Sequence, residues 1–210
     1  EQYHFYFSPL FPILSTGIIF SLLNFLKFLR SDQDKRFIRK AFSRYVSPKV
    51  VDSIVASPES LSLEGQDKEV SILFSDIRGF TTLSEKIPST QLSALLKSYL
   101  TPMTRIIIEE SGTLDKFIGD AVMAFWNAPV EIPEHRHHAV SAGLAMLEAL
   151  PVLNAGFQEQ YGLSLNIGIG IHAGRAIVGN MGSEDLFDYT VIGDNVNLAS
   201  RLEGLTKFYG

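Results

Sequence analysis

The pattern of apolar and polar positions changes character along this chain. Residues 5–26 contain no Asp, Glu, Lys, Arg or His and show no amphipathic face. An uncharged run of roughly 20 residues has the length needed to cross a bilayer core. Pro9 and Pro12 stand near its start, where proline is tolerated in a helix. The run lacks the basic start and the A-x-A cleavage pattern of a signal peptide, so a membrane-spanning helix is expected within residues 1–30. Residues 32–46 follow a different period. Phe37, Ile38, Ala41, Phe42 and Tyr45 recur at helical spacing on one face. Ser47-Pro48 reads as the cap and first position of a second short helix through Ile54. Residues 31–64 are therefore expected to form a helical linker.

Beyond Gly65 short apolar runs take over. Residues 70–74, rich in β-branched side chains, predict a strand ending at Ser75-Asp76. Residues 89–110 follow a helical pattern with a kink at Pro102. Residues 113–118 and 121–126 are two strands joined by Gly119-Asp120, a hairpin signal. Residues 135–161 predict a second long helix, interrupted at Pro151, and residues 165–172 a further strand. The rest is rich in glycine and closes with a helical pattern over 196–205. Strand–helix–strand–strand–helix–strand is the order of a ferredoxin-like α+β sandwich, expected over residues 65–210.

Composition refines this picture in a few places. With 46% hydrophobic and 20% charged residues, the chain can fill a core. A net charge of −5 is the wrong sign for a general nucleic-acid binder. The absence of cysteine excludes disulfides, thiolate metal sites and cysteine nucleophiles. Residues 27–49 carry eight Lys or Arg against two Asp. Basic residues directly after a span are retained on the cytoplasmic side, so the expected location is the plasma (inner) membrane with the domain in the cytoplasm.

Asp76 at the end of a strand and Asp120 in a hairpin turn carry the chemistry. In the ferredoxin-like order their strands are neighbours, so both carboxylates can converge at one end of the sheet. Carboxylates on rigid strands beside a glycine loop suit Mg²⁺ or Mn²⁺ with a phosphate substrate. Gly79 lets the chain turn after Asp76, which leaves the N–H groups of Phe80 and Thr81 at a helix start to cradle phosphates.

Three blocks in register sharpen the reading: Phe74-Ser-Asp-Ile-Arg-Gly-Phe-Thr81, Asp115-Lys-Phe-Ile-Gly-Asp120 and Gly193-Asp-Asn-Val-Asn-Leu-Ala-Ser-Arg-Leu-Glu203. Their order and spacing resemble the signature blocks of class III nucleotidyl cyclases over residues 65–210. The resemblance implies a homodimer with active sites at the interface and two Mg²⁺ or Mn²⁺ ions per site. Asp76, Asp120 and the carbonyl of Ile77 match the metal ligands. Asn197 and Arg201, four apart on a helix and so on one face, match the pair that a partner subunit contributes to hold the ribose and the α-phosphate. The reaction implied is in-line attack of the ribose 3′-hydroxyl of ATP, giving 3′,5′-cyclic AMP and pyrophosphate in signal transduction.

Lys116 and Thr190 match the family's purine-reading positions. Lysine can donate to N1 of adenine and threonine can accept from its amino group, whereas guanylyl-type members carry Glu and Cys there. A Lys–Thr pair resembles a bacterial subgroup of adenylyl cyclases. The alternatives are a guanylyl cyclase and a catalytically silent, cyclase-like dimeric regulatory module. Members usually continue past the equivalent of Gly210 with further strands, and a sensor is expected ahead of residue 1. His135, His137 and His138 are spaced wrongly to gather three metal ligands on one helix face and are expected in solvent. Gly168, Gly170, Gly174, Gly179 and Gly182 are expected to permit close backbone approach. Residues 182–188 match an arm that embraces the partner in this family.

Overall fold

The computed structural model describes residues 20, 65–183 and 187–209. Apart from Phe20, the expected membrane helix and the linker lie outside these residues. Within them the chain forms β1 (Gln66–Ile77), α1 (Phe80–Lys86), α2 (Ser89–Glu109), β2 (Thr113–Ile118), β3 (Ala121–Trp126), α3 (His135–Tyr161), β4 (Ile167–Gly182), β5 (Phe187–Ile192) and α4 (Asp194–Tyr209). The five strands lie in the order β2-β3-β1-β4-β5 with every neighbouring pair antiparallel. Both crossovers of the ferredoxin-like plan are present, extended by β5 and α4.

Alternation along β1 and β3 explains the layers. Leu73, Ile77, Val122, Ala124 and Trp126 pack with Tyr99, Met103 and Ile107 of α2 and with Ala139, Ala142 and Met146 of α3. Val70, Ile72, Met123 and Phe125 point the other way, against Val196 and Ala199 of α4 and Val178 and Val191 of the β4–β5 pair. A strand covered on both faces reads as a continuous apolar run, which is why β3 is recognisable from its sequence. The Trp126 indole donates to the Glu110 carbonyl at 2.8 Å, so the largest core side chain keeps its polar group paired.

Expectation and structure differ at several elements. The interruption expected at Pro151 is absent, for α3 continues through it, and α2 likewise runs as one helix through Pro102. A proline inside a helix costs about 3 kcal/mol, and here buried side chains on both sides of each one (Tyr99 and Met103, Leu150 and Phe157) offset it by holding the helix on the sheet. β1 and β4 are longer than their apolar cores, because twelve residues of β1 pair with β4 from Gln66↔Val178 to Ile77↔Ile167. Asp76 is thus inside its strand, next to the last residue. β5 is an element that the glycine-rich texture concealed, and residues 182–188 span the β4–β5 connection.

Among the described residues only α3 is long and apolar enough to cross a membrane. One face of it is core, and Ala139, Ala142, Met146 and Leu150 are packed against the sheet.

The β4–β5 hairpin folds back over the sheet. β5 pairs with residues 177–182 of β4, of which only Ile177 and Val178 also pair with β1. The Tyr189 ring nevertheless lies 6.2 Å from Phe125 of β3, and Thr190 bonds to Asp115 of β2. Strands at opposite edges of the pairing order therefore meet on the face that α4 also covers.

Candidate active site

Asp76 and Asp120 do converge. The Ile77 N–H donates to Asp120 Oδ2 at 3.2 Å, which ties the β2–β3 turn to the end of β1. Burial, a hydrogen bond that protonated Asp120 donates to Asp76, and the Asp76 charge together push the Asp120 carboxyl up from 3.8 to about 6. Desolvation also pushes the Tyr99 phenol beneath them up to about 12, with the charges of Asp120 and Asp76 adding to it. Among the described residues neither carboxylate is paired with Lys, Arg or His. Two crowded carboxylates, unpaired with any basic side chain among the described residues, offer oxygen donors alone, and such sets fit hard divalent cations that retain water and phosphate ligands. The residues therefore fit Mg²⁺ or Mn²⁺, although no group of three His, Cys, Asp or Glu gathers among the described residues.

The glycine turn is built as the sequence suggests. Gly79 has φ 66°, a conformation that costs a side chain-bearing residue energy. α1 then starts at Phe80, with Phe80 half-buried and Thr81 exposed. Their N–H groups belong to the first helical turn, which has no partners within its own helix. Arg78 between them turns away from the carboxylates. It donates to Glu203 Oε1 at 2.8 Å and to the Glu203 carbonyl at 3.3 Å. α4 sits close on β4 at this point, for a Cβ at Gly170 would overlap the backbone of Ala199 and Glu203.

Lys116 and Thr190, 74 positions apart, are joined through Asp115. The Lys116 ammonium lies 3.5 Å from Asp115 Oδ1 and 3.2 Å from Asp188 Oδ2. Thr190 Oγ1 donates to Asp115 Oδ2 at 2.5 Å. Asp115 and Asp188 escaped the sequence reading because each resembles a strand or turn aspartate until β5 is folded onto β2.

Asn197 and Arg201 are on α4, on a face opposite to its buried Val196, Ala199 and Glu203. Both are exposed, and neither side chain makes a hydrogen bond or ion pair with a described residue. The fold does not bring them to Asp76 and Asp120 within the described chain. A further asparagine fixes where this helix begins: Asn195 donates to the Arg175 carbonyl at 2.8 Å, and its Oδ1 lies 2.9 Å from His172 Nε2. Of the three helix-start histidines, two are half-buried and meet other side chains. His135 Nδ1 lies 2.8 Å from Ser71 Oγ and His138 Nδ1 2.9 Å from Glu110 Oε2, since the start of α3 packs on β1 and the end of α2. They do not converge as metal ligands, in agreement with their spacing.

A five-stranded antiparallel sheet covered by helices on both faces, with two aspartates meeting at one end beside a glycine turn, is an arrangement suited to a divalent cation and a phosphate-bearing ligand. Residues 64–207 match the adenylate and guanylate cyclase catalytic domain, and the chain belongs to that family. It is 38% identical over 170 residues to adenylate cyclase 1 of Rhizobium meliloti, covering 80% of this chain and 25% of that protein. The chain thus spans about a quarter of that relative's length. Among solved structures it resembles the adenylyl cyclase CyaB from P. aeruginosa, with a TM-score of 0.66 and 44% identity over 68% of this chain and 74% of the other. It also resembles the guanylyl cyclase Cya2, with a TM-score of 0.65 and 35% identity over 67% and 72% of the two chains.

Proposed function

We propose that this chain is the catalytic part of a membrane-anchored adenylyl cyclase that converts ATP to 3′,5′-cyclic AMP and pyrophosphate in signal transduction. The observation that carries the reading is the convergence of Asp76 with Asp120, neither of them paired with a basic side chain among the described residues. Two Mg²⁺ or Mn²⁺ ions held by Asp76, Asp120 and the Ile77 carbonyl would activate the ribose 3′-hydroxyl and neutralise charge on the triphosphate. The rest of the work falls to the chain's own groups. The N–H groups of Phe80 and Thr81 hold phosphate oxygens, and Lys116 and Thr190 orient the adenine through N1 and the 6-amino group. Asn197 fixes the ribose and Arg201 stabilises charge on the α-phosphate. Because Asn197 and Arg201 stand exposed and unpaired on α4, their role calls for a second subunit, and the working unit is a homodimer with interfacial sites.

Residues 1–30 serve as the anchor and 31–64 as the linker, which places the catalytic domain on the cytoplasmic face of the plasma membrane. Support comes from the uncharged run at 5–26 and the basic segment behind it. The likeness to Cya2 favours a second reading, in which GTP is the substrate. Lys116 argues against it, since its ammonium and the protonated N1 of guanine are both donors.

Incubating a protein that contains residues 1–210 with ATP or GTP and Mn²⁺ or Mg²⁺, then identifying the product, decides among these. Cyclic AMP supports the proposal and cyclic GMP the second reading. Absence of either product, with a folded dimer, would leave a silent regulatory module.

A further inference from the structure

Asp115 is an inserted residue. β2 and β3 pair at Leu114↔Ala124 and again at Lys116↔Met123, so Asp115 has no partner of its own in the ladder. Such a bulge re-aims one side chain out of the regular alternation. Here it directs a fully enclosed carboxylate, with 0% side-chain exposure, at the hydroxyl of a residue on the far side of the pairing order. Oδ2 takes the Thr190 proton, and the buried Oδ1 has no hydrogen-bond partner, with the Lys116 ammonium at ion-pair distance. Burial pushes the Asp115 carboxyl up, while the Thr190 hydroxyl, the Lys116 charge and the Val191 N–H act in the opposite sense.

A hydroxyl has one proton. An ionised carboxylate only accepts, so the Thr190 proton is committed to Asp115 and the threonine oxygen offers lone pairs alone to any other group. An acceptor-only oxygen takes a hydrogen bond from the 6-amino group of adenine and meets an oxygen at the same position as acceptor against acceptor. We infer that Asp115 is a positioning residue that selects a purine with a 6-amino donor, by fixing the direction of the Thr190 hydroxyl. This rests on the reading of Thr190 as a purine contact. It concerns a residue that touches no base itself.

The test separates the two claims. ATP is compared with 6-methoxypurine riboside triphosphate, which keeps the N1 acceptor but places an oxygen at position 6. In Asp115→Asn the carboxamide can donate to the Thr190 oxygen and release its proton toward the base. The kcat/KM preference for ATP over the methoxy substrate should then fall about tenfold or more. Thr190→Val should also erode the preference, and adding Asp115→Asn to it should change the ratio no further, because the aspartate acts through the threonine. If Thr190→Val leaves the ratio untouched, Thr190 is not a purine contact and the underlying reading fails. If Thr190→Val shifts it while a folded Asp115→Asn keeps the original ratio, the inference about Asp115 is overturned. Should Asp115→Asn not fold, the unsubstituted protein decides. Purine riboside triphosphate, with nothing at position 6, should be used better than the methoxy compound, and equal or better use of the methoxy compound would refute an acceptor-only Thr190.

Discussion

The Asp76–Asp120 corner and the outer face of α4 are both matched by the family's signature blocks, yet they are finished to different degrees. At the corner, neighbouring strands and a tight turn hold two carboxylates together, and the Ile77 N–H locks the turn to the strand. On α4, the Asn197 and Arg201 side chains are exposed and have no partners among the described residues. The arginine nearest the corner, Arg78, is by contrast fully engaged with Glu203. On the proposed reading, a folded chain completes the anionic half of a site and displays Asn197 and Arg201 for a partner's. The Arg78–Glu203 pair joins the two halves mechanically, since it connects the residue after Ile77 to the helix that carries Arg201.

The largest expected effect comes from breaking the corner. Asp76→Asn or Asp120→Asn should reduce cyclase turnover by several orders of magnitude, because a lost metal ligand removes several kcal/mol of transition-state stabilisation. Product formation near the unsubstituted rate in a folded variant would refute the metal assignment.

Mixing variants tests whether the halves belong to different subunits. Asp76→Asn and Arg201→Ala should each be inactive alone. With residues 1–30 removed so that subunits exchange, an equal mixture should recover roughly a quarter of normal activity, since half the dimers are mixed and half of their sites are intact. Labelled subunits that exchange without recovery of activity would show that each subunit holds its site alone.

Cutting the mechanical connection should act on stability first. Arg78 and Glu203 retain only 20% and 10% side-chain exposure, so Arg78→Leu leaves a nearly buried carboxylate and should cost about 3 kcal/mol in denaturant unfolding. A change below about 0.5 kcal/mol, the range of ordinary surface substitutions, would mark the pair as a solvated contact.

The smallest effect is the pH dependence of the corner. Asp120 is raised from 3.8 to about 6 in the folded protein. A carboxyl raised on folding stabilises the protein while protonated, and that contribution is lost as pH rises from about 4 to above 6. Metal-free stability should therefore decline across this window on account of the pair. Mg²⁺ requires the ionised form, so its increase of Tm should be slight at pH 5 and larger at pH 8. Equal shifts at both values would remove the pair from the metal site.

The sequence alone determined a good deal. β2, β3 and α3 could be bounded from hydropathy period and the Gly119-Asp120 turn, because a strand or helix with a buried face records that face in its own residues. Asp76, Asp120 and the Gly79 turn were legible for the same reason: their positions follow from local strand ends and turns. The joining of Lys116 to Thr190 through Asp115 was not. It depends on a one-residue bulge in β2 and on a hairpin that folds β5 back over the sheet, and neither leaves a periodic trace in sequence. The two prolines teach the complementary point. Local propensity argued for a break at Pro151 and a strained turn at Pro102, and burial against the sheet keeps both helices continuous, since packing acts between residues far apart in the chain while propensity sees only neighbours. Exposure of Asn197 and Arg201 on α4 was likewise decided by the fold, because which face of a helix is left free depends on what the remaining chain covers.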